Sequence, residues 1–169
     1  MNDFQLKSES NQADDYYIRH RKQKSMNQKF KGKDMRILIV EDDFVSRRLM
    51  QMLLSSYGEC DIAVNGEEAV KAFKASRREK SPYSLICLDI MMPLMDGQEA
   101  LKQIRAFEKE EKVHPSKEVR IIMTTALDSP KDVIDAYYRG GCNSYLVKPI
   151  DRKKLEALLK EYGFVAKKS

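Results

Sequence analysis

Four places in this 169-residue chain carry groups able to do chemistry with metal ions and phosphate. An acidic triplet, Glu41, Asp42 and Asp43, follows the apolar run "RILIV", and a single carboxylate, Asp89, ends the apolar part of "LICLDIMMPLMDG". Paired hydroxyls, Thr124 and Thr125, close "VRIIMTT", and an ammonium, Lys148, stands before Pro149 in "SYLVKP". Alone, Asp89 would mark an ordinary turn, since aspartate is common where strands end. Brought together, Glu41, Asp42 and Asp89 crowd negative charge, which is costly unless something positive sits between them. An all-oxygen donor set suits a hard cation. Mg2+ fits best, because it takes one or two carboxylates, keeps several waters and is completed by a phosphate; Mn2+ is the other ion such a set accepts.

The chemistry open to this set is phosphoryl transfer to a carboxylate oxygen, with Asp89 as the nucleophile. The metal would shield the incoming charge, Lys148 would bind phosphoryl oxygens, and the Thr125 hydroxyl or nearby backbone amides would hold another. No base is required, because a carboxylate is already ionised at neutral pH. That matters here, since only His20 and His114 are available, both in polar surroundings. Three carboxylates balance one divalent metal and one ammonium, and a phosphoryl group arriving on Asp89 upsets that balance.

Elements that could position these groups are visible from Met35 onward. "RILIV" (36–40) reads as a buried strand, and "SRRLMQMLLSSYG" has apolar residues at helical spacing that stop at Gly58. The alternation continues with "CDIAV", Glu67 to Arg78, "YSLICLD", Gln98 to Lys109, "VRIIMTT", Lys131 to Tyr138, "SYLVKP" and Arg152 to Tyr162. Five nearly continuous apolar strands separated by helices predict an α/β fold, a parallel sheet covered on both faces. Right-handed crossovers leave few topologies, of which the common one is the flavodoxin-like (βα)5 sandwich of strand order 2-1-3-4-5. Ligands then bind at the carboxyl ends of the strands, beside the switch between the first and third. Those are the strands that deliver Glu41 and Asp89.

Length allows one well-cored domain and hardly two. No apolar run is long enough to cross a bilayer, and "MNDFQLKSESNQADDYY" lacks the apolar core of a secretory signal, so a soluble cytoplasmic protein is expected. Cys60, Cys87 and Cys142 are odd in number, widely spaced and unpaired with histidines, which argues against a disulfide framework or a zinc site. The net charge of +5 is concentrated: Arg19, Arg21, Lys22, Lys24, Lys29, Lys31 and Lys33 lie in a stretch with no acidic residue. Such a run can hold nucleic acid or anionic lipid, but a solvated flexible arm is the preferred reading. The expected organisation is a basic extension over 1–34, a domain over 35–163 and a short tail over 164–169. The charged segment Glu108 to Glu118 reads as a solvated insertion of variable conformation, and Met91, Met92 and Met95 as residues that cap the core.

From about Met35 to Tyr162, four motifs in order, "ILIVEDD", "LDIMMPLMDG", "TTA" and "SYLVKP", resemble the receiver domain of two-component response regulators. The strand order is partly what this resemblance implies. It implies further that Asp89 is the phosphorylated residue, that Glu41 and Asp42 are metal carboxylates, and that Met91 joins the metal through its backbone carbonyl. Sliding the match by one residue would select Asp42 and Asp43 instead; the earlier pair places Arg47 where many receivers carry an arginine. Thr125 is preferred to Thr124 as the switch hydroxyl because Ala126 follows it. Pro149 resembles the family's cis-proline, and Tyr145 its aromatic switch.

The implied function is that of a phosphorelay receiver, fed by a histidine kinase or phosphotransfer protein. It would be read by a downstream protein at the face of the fourth helix, fifth strand and fifth helix, where Tyr137 and Tyr138 lie. With only "GFVAKKS" after the last helix, a stand-alone receiver is expected. Two other classes compete. A Mg2+-dependent phosphatase with an aspartyl nucleophile would place an aspartate two residues beyond it, where this chain has Met91. A nucleic-acid module using the basic arm lacks a recognition helix. Met91 and Leu127, two beyond Asp89 and Thr125, are unable to orient an attacking water, so slow self-dephosphorylation is expected.

Overall fold

Five short runs form the strands β1 (Arg36–Val40), β2 (Glu59–Ala63), β3 (Leu85–Asp89), β4 (Arg120–Thr125) and β5 (Ser144–Val147); β2, ECDIA, is the least apolar and is buried only at Ala63. In this computed structural model residues 35–126 and 141–167 are described. All pairings are parallel, in the order β2-β1-β3-β4-β5 that the alternation predicts. β3 and β4 are buried at every position, which explains the apolar runs Leu85–Leu88 and Ile121–Met123 at their centres.

Between the strands lie the helices α1 (Phe44–Leu54), α2 (Gly66–Arg78) and α3 (Gly97–Glu110), and α4 (Arg152–Glu161) follows β5. Each starts on a side chain able to accept from an orphan amide of the first turn. Asp43 takes the Ser46 N–H at 2.8 Å, Asn65 that of Glu68 at 2.9 Å, Asp96 that of Glu99 at 2.8 Å and Asp151 that of Lys154 at 3.0 Å. The helix predicted over Lys131 to Tyr138, with Tyr137 and Tyr138, lies outside the described residues, as do Leu127 and the basic arm. No helix among the described residues is long and apolar enough to cross a membrane.

Strand alternation divides the core in two. Leu38, Val40, Ile86, Leu88, Ile121 and Met123 face α2 and α3, whereas Ile37, Ile39, Leu85, Cys87, Ile122 and Leu146 face α1 and α4. Phe73 of α2 is wholly buried and meets Phe107 of α3 edge to face at 5.9 Å. Phe73→Ala should therefore lower unfolding stability by about 3–5 kcal/mol, measured as a shift in urea midpoint. A loss under about 1 kcal/mol would mean that this contact is not part of the packed core.

The segment Glu108 to Glu118 corrects one expectation. Its start continues α3, and Pro115–Lys117 form a single 3-10 turn. Glu108 is buried, accepting the Val119 N–H at 2.7 Å and the Arg105 Nη1 at 2.5 Å. Arg105 also donates to the carbonyls of Gly141 (2.9 Å) and Val119 (3.0 Å) and to Asn143 Oδ1 (3.1 Å), tying α3 to the starts of β4 and β5. The methionines need a second correction: Met92 and Met95 pack against the core, but the Met91 side chain is 61% exposed.

Candidate functional site

The carboxyl ends of β1, β3, β4 and β5 lie at one edge of the sheet, and Glu41, Asp42, Asp89 and Lys148 come together there. Glu41 follows β1 directly and is buried, while Asp42 beside it is exposed. Carboxylate oxygens of Glu41, Asp42 and Asp89 lie within 4.8 Å of one another. Asp43 takes no part in this group; its carboxylate caps α1. Arg47, one and a half turns along, donates Nη1 to the carbonyls of Glu41 (2.9 Å) and Asp42 (3.1 Å), fixing the backbone that presents them. Arg47 therefore lies at the site as a brace.

Asp89 is buried at the tip of β3, and its carboxylate accepts the Met91 N–H. Lys148 spans the crevice from the end of β5, its Nζ 2.5 Å from Glu41 Oε2 and 3.2 Å from Asp89 Oδ2. The Lys148–Pro149 peptide is cis. Burial pushes the Glu41 and Asp89 carboxyls above their ordinary values, and Lys148 opposes both shifts. Burial alone would lower the Lys148 pKa, but the Glu41 hydrogen bond and the neighbouring Asp89 charge leave it raised.

The two threonines part company. Register pairs Thr124 with Asp89, so both side chains stand on one face of the sheet, and Thr124 lines a cavity of about 120 Å³ with Glu41, Leu49 and Lys148. This proximity was not foreseen; only strand register, which one sequence does not reveal, could have shown it. Thr125 is completely buried and turned by alternation to the opposite face; its carbonyl accepts the Lys148 N–H at 2.7 Å. Tyr145 pairs with Met123 and Thr125 with Val147, which puts Tyr145 on the same face as Thr125, one strand over. Tyr145 is 40% exposed and borders a groove of about 530 Å³ against α4.

Chemically, the donor set suits a hard divalent ion: three carboxylates, oxygen only, one of them exposed for entry and two buried beside the Lys148 ammonium.

Comparison with known proteins agrees with this geometry. The family model described as response regulator receiver domain matches residues 37–160. The chemotaxis protein CheY of Treponema pallidum is 40% identical over 131 residues, covering 76% of this chain and 82% of that protein. In a co-crystal structure of the Saccharomyces cerevisiae histidine phosphotransfer signaling protein Ypd1 with the receiver domain of its downstream response regulator Ssk1, a chain matches with TM-score 0.67 and 32% identity, over 79% of this chain and 92% of that one. The receiver domain of the sensor histidine kinase PA1611 from Pseudomonas aeruginosa, with a magnesium ion coordinated in the active site cleft, matches with TM-score 0.59 and 28% identity over 78% of this chain and 98% of that one. Other relatives are hybrid histidine kinases of Dictyostelium discoideum, of whose length this chain spans only 4% to 11%.

Proposed function

This chain belongs to the response regulator receiver family, whose role is phosphorelay signalling, and on that premise we propose that Asp89 accepts a phosphoryl group from a histidine kinase or phosphotransfer protein and so switches the binding of a downstream protein. Receiver domains are signalling modules, not classical enzymes. The observation that carries this reading is the single ammonium of Lys148 bridging Glu41 and Asp89 at the switch point of the sheet.

Glu41, Asp42, Asp89 and the Met91 carbonyl would hold Mg2+, which when bound offsets the charge of the incoming phosphoryl group. An Asp89 carboxylate oxygen attacks phosphorus in line with the bond to the donor's imidazole nitrogen; the P–O bond forms as the P–N bond breaks, and the electron pair leaves with the imidazole. Lys148 stays within reach of Asp89 and takes a phosphoryl oxygen as its grip on Glu41 loosens. Thr125, buried on the far face, must reorient to offer its hydroxyl, and Tyr145 beside it on that face shares the consequence. That adjacency supports a two-state coupling from Asp89 to the β5–α4 groove, where the downstream protein is proposed to bind. The proposed location is the cytoplasm.

The test is incubation with a small acyl-phosphate donor, with Mg2+ and with EDTA. Label should enter only when the cation is present; labelling that is equal in EDTA counts against the proposed cation site. Protons should compete with the cation. A carboxyl whose pKa is higher folded than unfolded favours the fold below the unfolded value, and that contribution is lost as pH rises through the folded value. Glu41 and Asp89 are both of this kind, so the metal-free protein loses stability as pH climbs from about 4, and Mg2+ should restore it. The Mg2+-induced rise in melting temperature should thus be small in acid and grow toward neutral pH. An equal rise at both would contradict the assignment.

Slow phosphate loss is the remaining expectation. Met91 presents an exposed thioether with no group to orient water, and Leu127 is equally apolar. Substituting polar side chains at both positions should shorten the half-life of the acyl phosphate by about tenfold or more. An unchanged half-life would show that water access, not orientation, governs the loss.

A further inference from the structure

We propose that Gly66, at the first position of α2, is a positioning residue for the cation site, acting through the loop that carries Met91. The inference rests on the reading of Asp89 and its neighbours as a Mg2+-dependent phosphoryl acceptor. The loop from Ile90 to Asp96 is closed at its base, where the Gly97 N–H donates to the Ile90 carbonyl at 2.9 Å. A Cβ at Gly97 would fall 2.0 Å from the Asp89 carbonyl oxygen, so the start of α3 lies directly against the acceptor's backbone. The far side of the loop is less secure. Leu94 sits there with a φ of 66°, a left-handed conformation that L residues avoid, and its side chain is 81% exposed, with little burial to hold it in place.

Next to Leu94, the Met95 carbonyl accepts the Gly66 N–H at 3.0 Å. The approach is close enough that a Cβ on Gly66 would stand 2.6 Å from the Met95 oxygen, 2.8 Å from Met95 Cγ and 3.0 Å from the Asp96 oxygen. Two of these three atoms are backbone, so an added methyl must push the loop away instead of turning a side chain aside. The Gly66 corner is itself rigid: Asn65 is buried and caps α2, and Glu68 Oε2 accepts the Val64 N–H at 3.0 Å. Met91, whose N–H meets the Asp89 carboxylate, lies between the two pinned ends of the loop. Gly66, on an element that contributes no carboxylate, thereby sets where the Met91 carbonyl points.

The experiment is calorimetric titration of the full chain with Mg2+, comparing Gly66→Ala with Gly58→Ala. Gly58 is an equally tight control at the opposite end of the sheet, where a Cβ would stand 2.4 Å from the Met35 oxygen. Gly66→Ala should raise the half-saturating Mg2+ concentration about tenfold or more, as loss of an outer support does at metal sites, while phosphorylation at saturating Mg2+ still reaches the wild-type extent. Gly58→Ala should lower the melting temperature and leave Mg2+ affinity unchanged. If Gly66→Ala does not fold, Asn65→Ala, which frees the same corner, should shift affinity in the same direction by a smaller factor. Wild-type affinity in a folded Gly66→Ala protein, or in Asn65→Ala where that variant must stand in, overturns the inference, as does an equal shift in Gly58→Ala. Absence of Mg2+ binding by the wild-type chain overturns the underlying reading together with it.

Discussion

Asp89→Asn should abolish phosphoryl acceptance, with label from a phosphohistidine or acyl-phosphate donor falling below detection. A neutral amide oxygen is a far weaker nucleophile than a carboxylate, and no other carboxylate among the described residues is placed like Asp89, buried at a strand tip, bonded to the Met91 N–H and within 3.2 Å of an ammonium. The substitution should also leave the metal-free protein more stable at neutral pH, because burial makes the ionised Asp89 less comfortable folded than unfolded. Loss of function with a gain in melting temperature separates this reading from simple damage to the fold. Label retained in Asp89→Asn would mean that a different residue is the acceptor.

Lys148→Met should have the second largest effect. Two buried carboxylates lose the cation that lies 2.5 Å from one and 3.2 Å from the other. Breaking a fully buried pair costs about 3–5 kcal/mol, but the Lys148 side chain is 20% exposed, so a loss of about 1–3 kcal/mol is expected, partly offset by added Mg2+. Phosphorylation should slow by about 100- to 1,000-fold, the usual consequence of removing one donor aimed at developing charge. Lys148→Arg should not restore the rate, since a planar fork does not replace a compact ammonium between two carboxylates. A near-normal rate in Lys148→Met, measured at saturating Mg2+, would remove Lys148 from the mechanism.

How far the chain's function could be read from its residues depended on what kind of contact carried each feature. The central strands were legible because burial on both faces favours apolar runs, and "LICL" and "IIM" are apolar throughout, with polar residues only at the ends of their strands. Asp89 and Lys148 were legible because each ends such a run. Within the acidic triplet, the pairs Glu41–Asp42 and Asp42–Asp43 stayed open alternatives, yet a signal was there: Asp43 immediately precedes a helix, in the position where a carboxylate is drawn to the amides of the first turn.

What escaped were contacts between segments far apart in the chain. Thr124 faces Asp89 only through the register of β3 with β4, and composition says nothing about register. Glu108 looked like one charge in a solvated insertion, but its partners are the Val119 N–H beyond the turn and Arg105 three residues back. Gly66 resembled any glycine at a helix start until its distance to Met95 was known.

The most direct test is to phosphorylate the chain in Mg2+, reduce the adduct with borohydride and locate the product by peptide mass spectrometry. An aspartyl phosphate becomes homoserine. Homoserine at position 89 alone, and none when EDTA replaces Mg2+, is the predicted result. Homoserine at another aspartate, or a stable phosphate on a serine, threonine or tyrosine with Asp89 unmodified, would contradict the account.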